Sequence, residues 1–272
     1  MDNDLVTTRS APGRVYLVGA GPGDPELLTV KAQRLLAHAD VILHDDLVPA
    51  EILALAGPQA NIVSVGKRYG AHGATQSEIN ARMIESVRLG LEVVRLKGGD
   101  PGIFGRLAEE IDALEAAGVP FEVVPGITAG IAAAASLGVS LTDRRKATRI
   151  VVITNHQARA KPGAASTDWR GLIRDDSTLL IYMPGRDFSS LRDELLAAGC
   201  ATDMPAAIVS RASVPGQRHR FTIVGELDKL PRMDSPAVLL IGASLGRAHR
   251  RAKAGDSAVL GLDEAELILS SL

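Results

Sequence analysis

The chain has 272 residues, 46% of them apolar and 3% aromatic, which is enough length for two domains and enough apolar side chain to bury a core in each. Thirty Lys and Arg stand against 32 Asp and Glu, a net charge of −2, so the overall balance calls for neither nucleic acid nor a membrane surface as partner. Cys200 is the single cysteine, which excludes an internal disulfide and a multi-cysteine metal site and fits a reducing cytoplasm; the polar first 13 residues carry no signal-peptide core, and no apolar run approaches the roughly 18 residues of a membrane span.

Short apolar runs alternate with helical patterns through the first half. VYLVG (15–19) reads as a buried strand, and 24–39 as a helix with Asp24 as its N-cap and Pro25 in first position. DVILHD (40–45) and NIVSVG (61–66) read as the second and third strands, and 75–90 as an amphipathic helix stopped by a glycine. EVVRLKGG (92–99) is a fourth strand, 106–118 a helix again stopped by glycine, FEVVPG (121–126) a fifth strand and 127–138 a helix of small residues. Strands alternating with helices imply parallel βαβ units and an α/β fold.

The pattern restarts near residue 147. Strands are expected at 148–154, 177–183, 205–211, 218–225 and 236–242, with one strong helix at 189–199. The tight connection RASVPGQRHRF implies a hairpin, so this half is expected to hold a mixed sheet. Residues 155–168 read as an exposed loop. From 246 the tail begins basic and ends in the short amphipathic run DEAELILSSL, and no repeat of 20–50 residues is present.

Three turns at strand carboxyl ends carry glycine: GAGPGDP (19–25), GGDPG (98–102) and PGITAG (125–130). In open α/β sheets ligands sit outside the carboxyl ends of strands, and glycine lets a backbone take positive φ or approach a ligand. The turns read either as tight βα connections or as several strand ends lining one cleft. The first resembles a dinucleotide fingerprint but fails in detail: Asp24 stands at the last glycine position, Pro22 lies inside the loop, and a carboxylate there opposes a pyrophosphate.

Taken in order, LVGAGPGDPELLTVKA, ADVILHDDLV, VGKR with TQSEIN, VVRLKGGDP, IFGR, VPGITAGIAAA and LT-R resemble the tetrapyrrole (precorrin) methylases from about residue 14 to 245, most closely the members that act on uroporphyrinogen III. The resemblance implies two α/β domains, 14–140 with a mostly parallel sheet and 147–245 with a mixed sheet, tails at 1–13 and 246–272, and an active-site cleft between the domains. It implies a cytoplasmic homodimer, monofunctional because the dehydrogenase/ferrochelatase module of fused sirohaem synthases is not in these residues. The implied activity is transfer of two methyl groups from S-adenosylmethionine (SAM) to pyrrole carbons of uroporphyrinogen III. That forms precorrin-2 by way of precorrin-1, for sirohaem or cobalamin, with S-adenosylhomocysteine as by-product and no metal.

The resemblance also assigns residues. Gly98, Gly99 and Asp100 match the SAM-holding backbone and carboxylate, and a side chain at either glycine is expected to clash with the cofactor. Pro22, Ile103, Thr128 and Ala129 match further SAM contacts, as do Met183 and Ala212 from the second domain; Met183 on a buried strand also reads as plain core. Asp45 matches the base, Lys67 the proton donor, and Arg106 and Arg144 arginines for a substrate with eight carboxylates, a task that favours the bidentate guanidinium. Glu109 matches an acid three residues from Arg106 on the same helix face. Arg68 and Arg145 add positive charge, and His156 aligns with a family histidine.

The chain departs from the family pattern where DPFIFGRGGEE becomes DPGIFGRLAEE (Gly102, Leu107), PLTHR becomes SLTDR (Asp143), TGH becomes TNH (Asn155) and YMG becomes YMP (Pro184). Asp143 is expected to set a negative charge beside the substrate arginine. Two alternatives accompany these departures: a methylase of another precorrin, or a non-catalytic paralogue that binds SAM or a tetrapyrrole.

Overall fold

The structure, a computed structural model, describes residues 13–66, 74–155 and 167–255. The chain divides into two compact units between Thr128 and Ala129.

The first unit runs β1 (Val15–Gly19), α1 (Val30–His38), β2 (Val41–His44), α2 (Ala50–Leu53), β3 (Asn61–Ser64), α3 (Gln76–Arg88), β4 (Val93–Lys97), α4 (Leu107–Ala116) and β5 (Phe121–Val124). All its strand pairs are parallel, in the order β3-β2-β4-β1-β5. Successive side chains along a strand point to opposite faces. Leu17, Leu43 and Val93 therefore join Met83 of α3 and Leu114 of α4 in one core, while Val18, Ile42 and Val94 join Leu36 of α1 and Ile52 of α2 in another. Each fully buried Leu or Ile is worth roughly 1.5–3 kcal/mol relative to exposure. A parallel sheet covered on both faces leaves only its edges for a ligand.

Helix punctuation follows the sequence in two places and departs from it in one. Thr75 and Glu78 form a capping box at the start of α3, and Gly90 takes φ 80° beyond its end. The helix expected over 24–39 is instead a 3-10 turn, Pro25–Leu27, followed by α1. Asp24 caps only that turn, by accepting from the Glu26 N–H at 2.9 Å. Leu28 is extended, and the Thr29 hydroxyl caps α1 by accepting from Ala32 N–H at 3.1 Å. Two capping residues five apart give two starts, and the second carries the helix.

The second unit runs α5 (Ala129–Ser136), β6 (Arg149–Thr154), α6 (Trp169–Leu172), β7 (Ser177–Tyr182), α7 (Ser189–Ala197), β8 (Pro205–Ser210), β9 (Arg218–Ile223), β10 (Ala237–Ile241) and α8 (Gly246–Lys253). Its sheet has the order β6-β7-β10-β8-β9; only β6 and β7 run parallel, so the sheet is mixed as expected, with β8 and β9 as the hairpin. Leu191 and Leu195 of α7 pack with Trp169, Leu179, Ile181 and Ile208 on one face. The small-residue helix α5, expected at the end of the first domain, packs instead against β7 and β10. Gly130 makes this possible: a Cβ there would lie 2.9 Å from Leu180 Cδ1, and its N–H donates to the Tyr182 hydroxyl at 2.7 Å. No described helix is long and apolar enough to cross a membrane.

Candidate active site

Because the first sheet is all parallel, its carboxyl ends share one edge, and the strand order fixes what meets there. β4, β1 and β5 are adjacent, so their three glycine turns are neighbours, and Asp45 follows β2 directly beside β4. The turns are joined through the backbone. Gly21 N–H donates to Gly99 O at 3.1 Å and Gly99 N–H to Gly21 O at 2.7 Å, a two-bond bridge that Gly99 reaches at φ 70°. Asp100 completes the weave: one carboxylate oxygen accepts from Gly102 N–H at 2.8 Å and the other from Gly126 N–H at 3.0 Å.

The protein's own backbone also constrains these glycines. A Cβ on Gly126 would lie 2.3 Å from Gly99 O, so that position admits no side chain, whereas one on Gly98 would lie 3.1 Å from Leu47 Cβ, a tight contact that Leu47 relieves only by shifting. Pro22 and Ile103 are half-buried in the same weave, and Leu47 and Phe104 stand exposed in the loops after β2 and β4.

Below this edge lies a cluster that sequence reasoning did not single out. Arg95 and Lys97, two residues apart on β4, are both 2% exposed, and Glu110 of α4 is 0% exposed. Glu110 Oε1 accepts from Arg95 Nε and from Lys97 Nζ, each at 2.9 Å, and from Gln76 Nε2 at 3.3 Å. Arg95 spans the cluster: its Nη1 reaches the Leu43 and Leu96 carbonyls, and its Nη2 donates to Asp45 Oδ1 at 2.5 Å. Two carboxylates thus balance two cations, as burial of charge demands. Burial is the first cause lowering the Lys97 pKa and the adjacent Arg95 charge the second, with Glu110 and Asp45 opposing them. Glu110 Oε2 has no hydrogen-bond partner among the described residues. The signal was present in the sequence as two basic residues at strand spacing inside an apolar run.

Asp45 is the exposed end of this cluster, with 32% of its side chain open. Its Oδ1 is fixed by Arg95, while Oδ2 accepts nothing from the described residues. The structure therefore offers an oriented carboxylate at the sheet edge, one of whose oxygens no described residue holds.

Arg106 and Glu109 share a face as expected. Arg106 takes φ 57° at the start of α4 and grips Glu109 with two bonds, Nε–Oε1 at 2.7 Å and Nη2–Oε2 at 2.6 Å; this grip raises the guanidinium pKa. Phe104, two residues earlier, is also left-handed at φ 55°. Left-handed non-glycine residues cost of order 1–3 kcal/mol and cluster at functional loops.

The second unit shows the same feature where SAM contacts were expected. Met183 is not core: it lies just past β7 at φ 47° and is 47% exposed. A left-handed residue cannot continue the strand, so the side chain turns out of the sheet. Ala212 is buried between two more left-handed residues, Arg211 at φ 52° and Ser213 at φ 64°. Thr128 and Ala129 are half-buried on either side of the division of the chain. Lys67, Arg68 and His156 lie outside the described residues.

Arg144 is exposed with no carboxylate in ion-pair reach among the described residues, because Asp143 is engaged elsewhere. Asp143 accepts from Arg145 Nε at 3.0 Å and Nη2 at 2.9 Å, and these bonds lower its pKa to about 2. Asp143, expected to set a negative charge beside Arg144, directs its carboxylate to Arg145, two residues on. The ordinary value is 3.8 and the folded value lies below it, so whatever the pair contributes is complete above 3.8 and lost as pH falls through about 2. Carboxyl-carbon NMR should show Asp143 titrating near 2, and Arg145→Ala should return it toward 3.8.

The woven glycine turns and the oriented carboxylate lie together at the carboxyl edge of a parallel sheet, the position where open α/β sheets take their ligands. Residues 14–228 match the sequence model of the Tetrapyrrole (Corrin/Porphyrin) Methylases, and the chain belongs to that family. It is 44% identical over 236 residues to a uroporphyrinogen-III C-methyltransferase of Paracoccus denitrificans, covering 86% of this chain and 82% of that protein. It is 43% identical over 238 residues to a siroheme synthase of Pseudomonas fluorescens, covering 85% of this chain; the chain spans about half the length of the siroheme synthases it matches. Among solved structures it resembles a Thermus thermophilus uroporphyrin-III C-methyl transferase complexed with S-adenyl homocysteine, with TM-score 0.74 and 40% identity over 86% of this chain and 100% of that one.

Proposed function

We propose that the chain is a uroporphyrinogen-III C-methyltransferase, using SAM to methylate two pyrrole carbons and form precorrin-2 for sirohaem or cobalamin. The observation that carries this reading is Asp45, held by Arg95 with one oxygen free, beside the woven turns of β1, β4 and β5. The donor set suits SAM. Asp100 offers a carboxylate to a cation, and Leu47 and Phe104 offer apolar cover at the same edge.

When bound, SAM supplies an electrophilic methyl group on a sulfonium. Pro22, Gly98, Gly99, Asp100, Ile103 and Thr128 are proposed to hold it from the first unit, and Ala129, Met183 and Ala212 from the second. Each methyl cation added is balanced by one proton lost, which Asp45 takes from the macrocycle on the oxygen that Arg95 does not hold; Lys67 is proposed to donate and recover a proton as the ring bonds rearrange. Arg106 and Arg144 hold substrate carboxylates; for Arg106 this means sharing or exchanging its grip on Glu109. Catalysis is then mainly positioning and charge stabilisation. A homodimer and a cytoplasmic location are proposed on the same resemblance.

Anaerobic incubation with uroporphyrinogen III and SAM, followed by product mass, tests the reading. A gain of two methyl groups is expected. No gain with SAM still bound overturns it and directs the search to another precorrin or to binding alone.

A further inference from the structure

The second unit carries a cavity of about 560 Å³ between the loop that follows α5 and helix α8. Among the described residues five cations line it, Arg145, Lys146, Arg247, Arg250 and Arg251, against one carboxylate, Asp143. That carboxylate is already held by both ends of the Arg145 guanidinium. Lys146, Arg247 and Arg250 have no carboxylate within ion-pair distance among the described residues. A chain of net charge −2 thus concentrates positive charge in one concavity.

Helix stability does not account for this arrangement. Arg250 and Arg251 in the last turn of α8 suit its dipole, but Arg247 stands in the first turn, where a cation is disfavoured. Arg247 also faces Arg250 and Arg251 at spacings of three and four residues, and like-charge pairs at such spacings destabilise a helix. The opposite face, with His249 buried beside Phe221, fixes α8 on the sheet and so fixes the direction of the arginines. Ser244, whose hydroxyl lies 2.9 Å from that of Thr178, adds a polar group to the wall.

We propose that this cavity binds a small polyanion through clustered carboxylate or phosphate oxygens. Its volume falls in the range of small-molecule sites, roughly 300–1,000 Å³, and its guanidinium groups match the planar geometry of both anions. The site stands on the cavity alone and survives a failure of the methyl-transfer reading.

The test titrates the full chain with two probes, inorganic pyrophosphate by calorimetry and uroporphyrin III by its fluorescence. Saturable binding is expected for at least one, weakening as salt rises. Arg247→Ala with Arg250→Ala should raise its dissociation constant tenfold or more and leave SAM affinity unchanged. Asp143→Asn removes the one carboxylate among the described lining residues and should tighten binding several-fold, a gain that a damaged fold cannot produce. Preference for uroporphyrin names a polycarboxylate tetrapyrrole as the ligand, and preference for pyrophosphate names a phosphate compound. The proposal fails if neither probe saturates, or if every probe that binds does so equally in parent and variants.

Discussion

Glu110→Ala should lower the stability of the protein by about 3–5 kcal/mol, the usual consequence of removing one partner from a buried ion cluster. The 0%-exposed carboxylate receives Arg95 and Lys97 on a single oxygen, each at 2.9 Å. Without it, two buried cations share only Asp45, which touches Arg95 alone. Lys97 already has its pKa lowered by burial and by Arg95, and Glu110 is one of the groups opposing that. The sign of the pH dependence follows. A lysine whose folded pKa lies below 10.5 binds fewer protons folded than unfolded between those two values, so stability rises with pH across that window. The deficit of Glu110→Ala should be largest near neutrality and narrow toward pH 10.5. Urea midpoints at several pH values measure it. Glu110→Gln, which keeps the shape, Lys97→Met, and the double variant, which removes both charges, close a double-mutant cycle with an expected coupling of about 1–3 kcal/mol. A loss below about 1 kcal/mol for the alanine variant, or no recovery in the double variant, would sink the account of the cluster.

Most of the fold was legible because its signals are local. Every expected strand of the first half exists, since apolar runs bounded by glycine turns allow little else, and alternation with helices gave the parallel sheet. What was not legible needed three dimensions. The sequence places Thr29 five residues after Asp24, but only the extended Leu28 between them shows that the helix has two starts. Glu110 reads as one more acid on a charged helix until β4 brings Arg95 and Lys97 to it. Met183 reads as the end of an apolar strand because left-handed backbone at a non-glycine residue leaves no mark in composition.

The same holds for the departures from the family pattern, which looked independent along the chain. In the structure they come in contacts. The Asn155 side chain donates to the carbonyl of Pro184 at 3.1 Å, so two departures in separate segments form one interaction. A Cβ on Gly102 would lie 4.0 Å from Leu107 Cδ2, so the position that lost an aromatic ring faces the one that gained a leucine. Asp143 pairs with Arg145. The cluster around Arg95 contains none of them, and the weave around Gly99 contains only Gly102, through its backbone N–H to Asp100.

Asp45→Asn should therefore reduce methyl transfer by roughly 10²- to 10⁴-fold, the usual worth of a positioned proton acceptor. The substitution keeps the side chain's shape and an oxygen for Arg95 Nη2, while Glu110 still holds Arg95 through Nε. Because Asp45 sits at the open end of the cluster, stability should change by no more than about 1 kcal/mol, and SAM affinity by less than a few-fold. What is lost is the ability to take a proton on the oxygen that Arg95 leaves free. Single-turnover methylation rates and calorimetric SAM affinities, measured on the same preparation, separate these effects. Arg95→Lys supplies the positioning control: it keeps the charge but not the fork that fixes Oδ1, and should lower the rate without abolishing its pH dependence. A rate within threefold of the parent in Asp45→Asn would make Asp45 a counter-charge for Arg95 and nothing more. The proton acceptor would then have to be sought among the other acids at the carboxyl edge, beginning with Asp46, exposed beside Ser64 and Gly66.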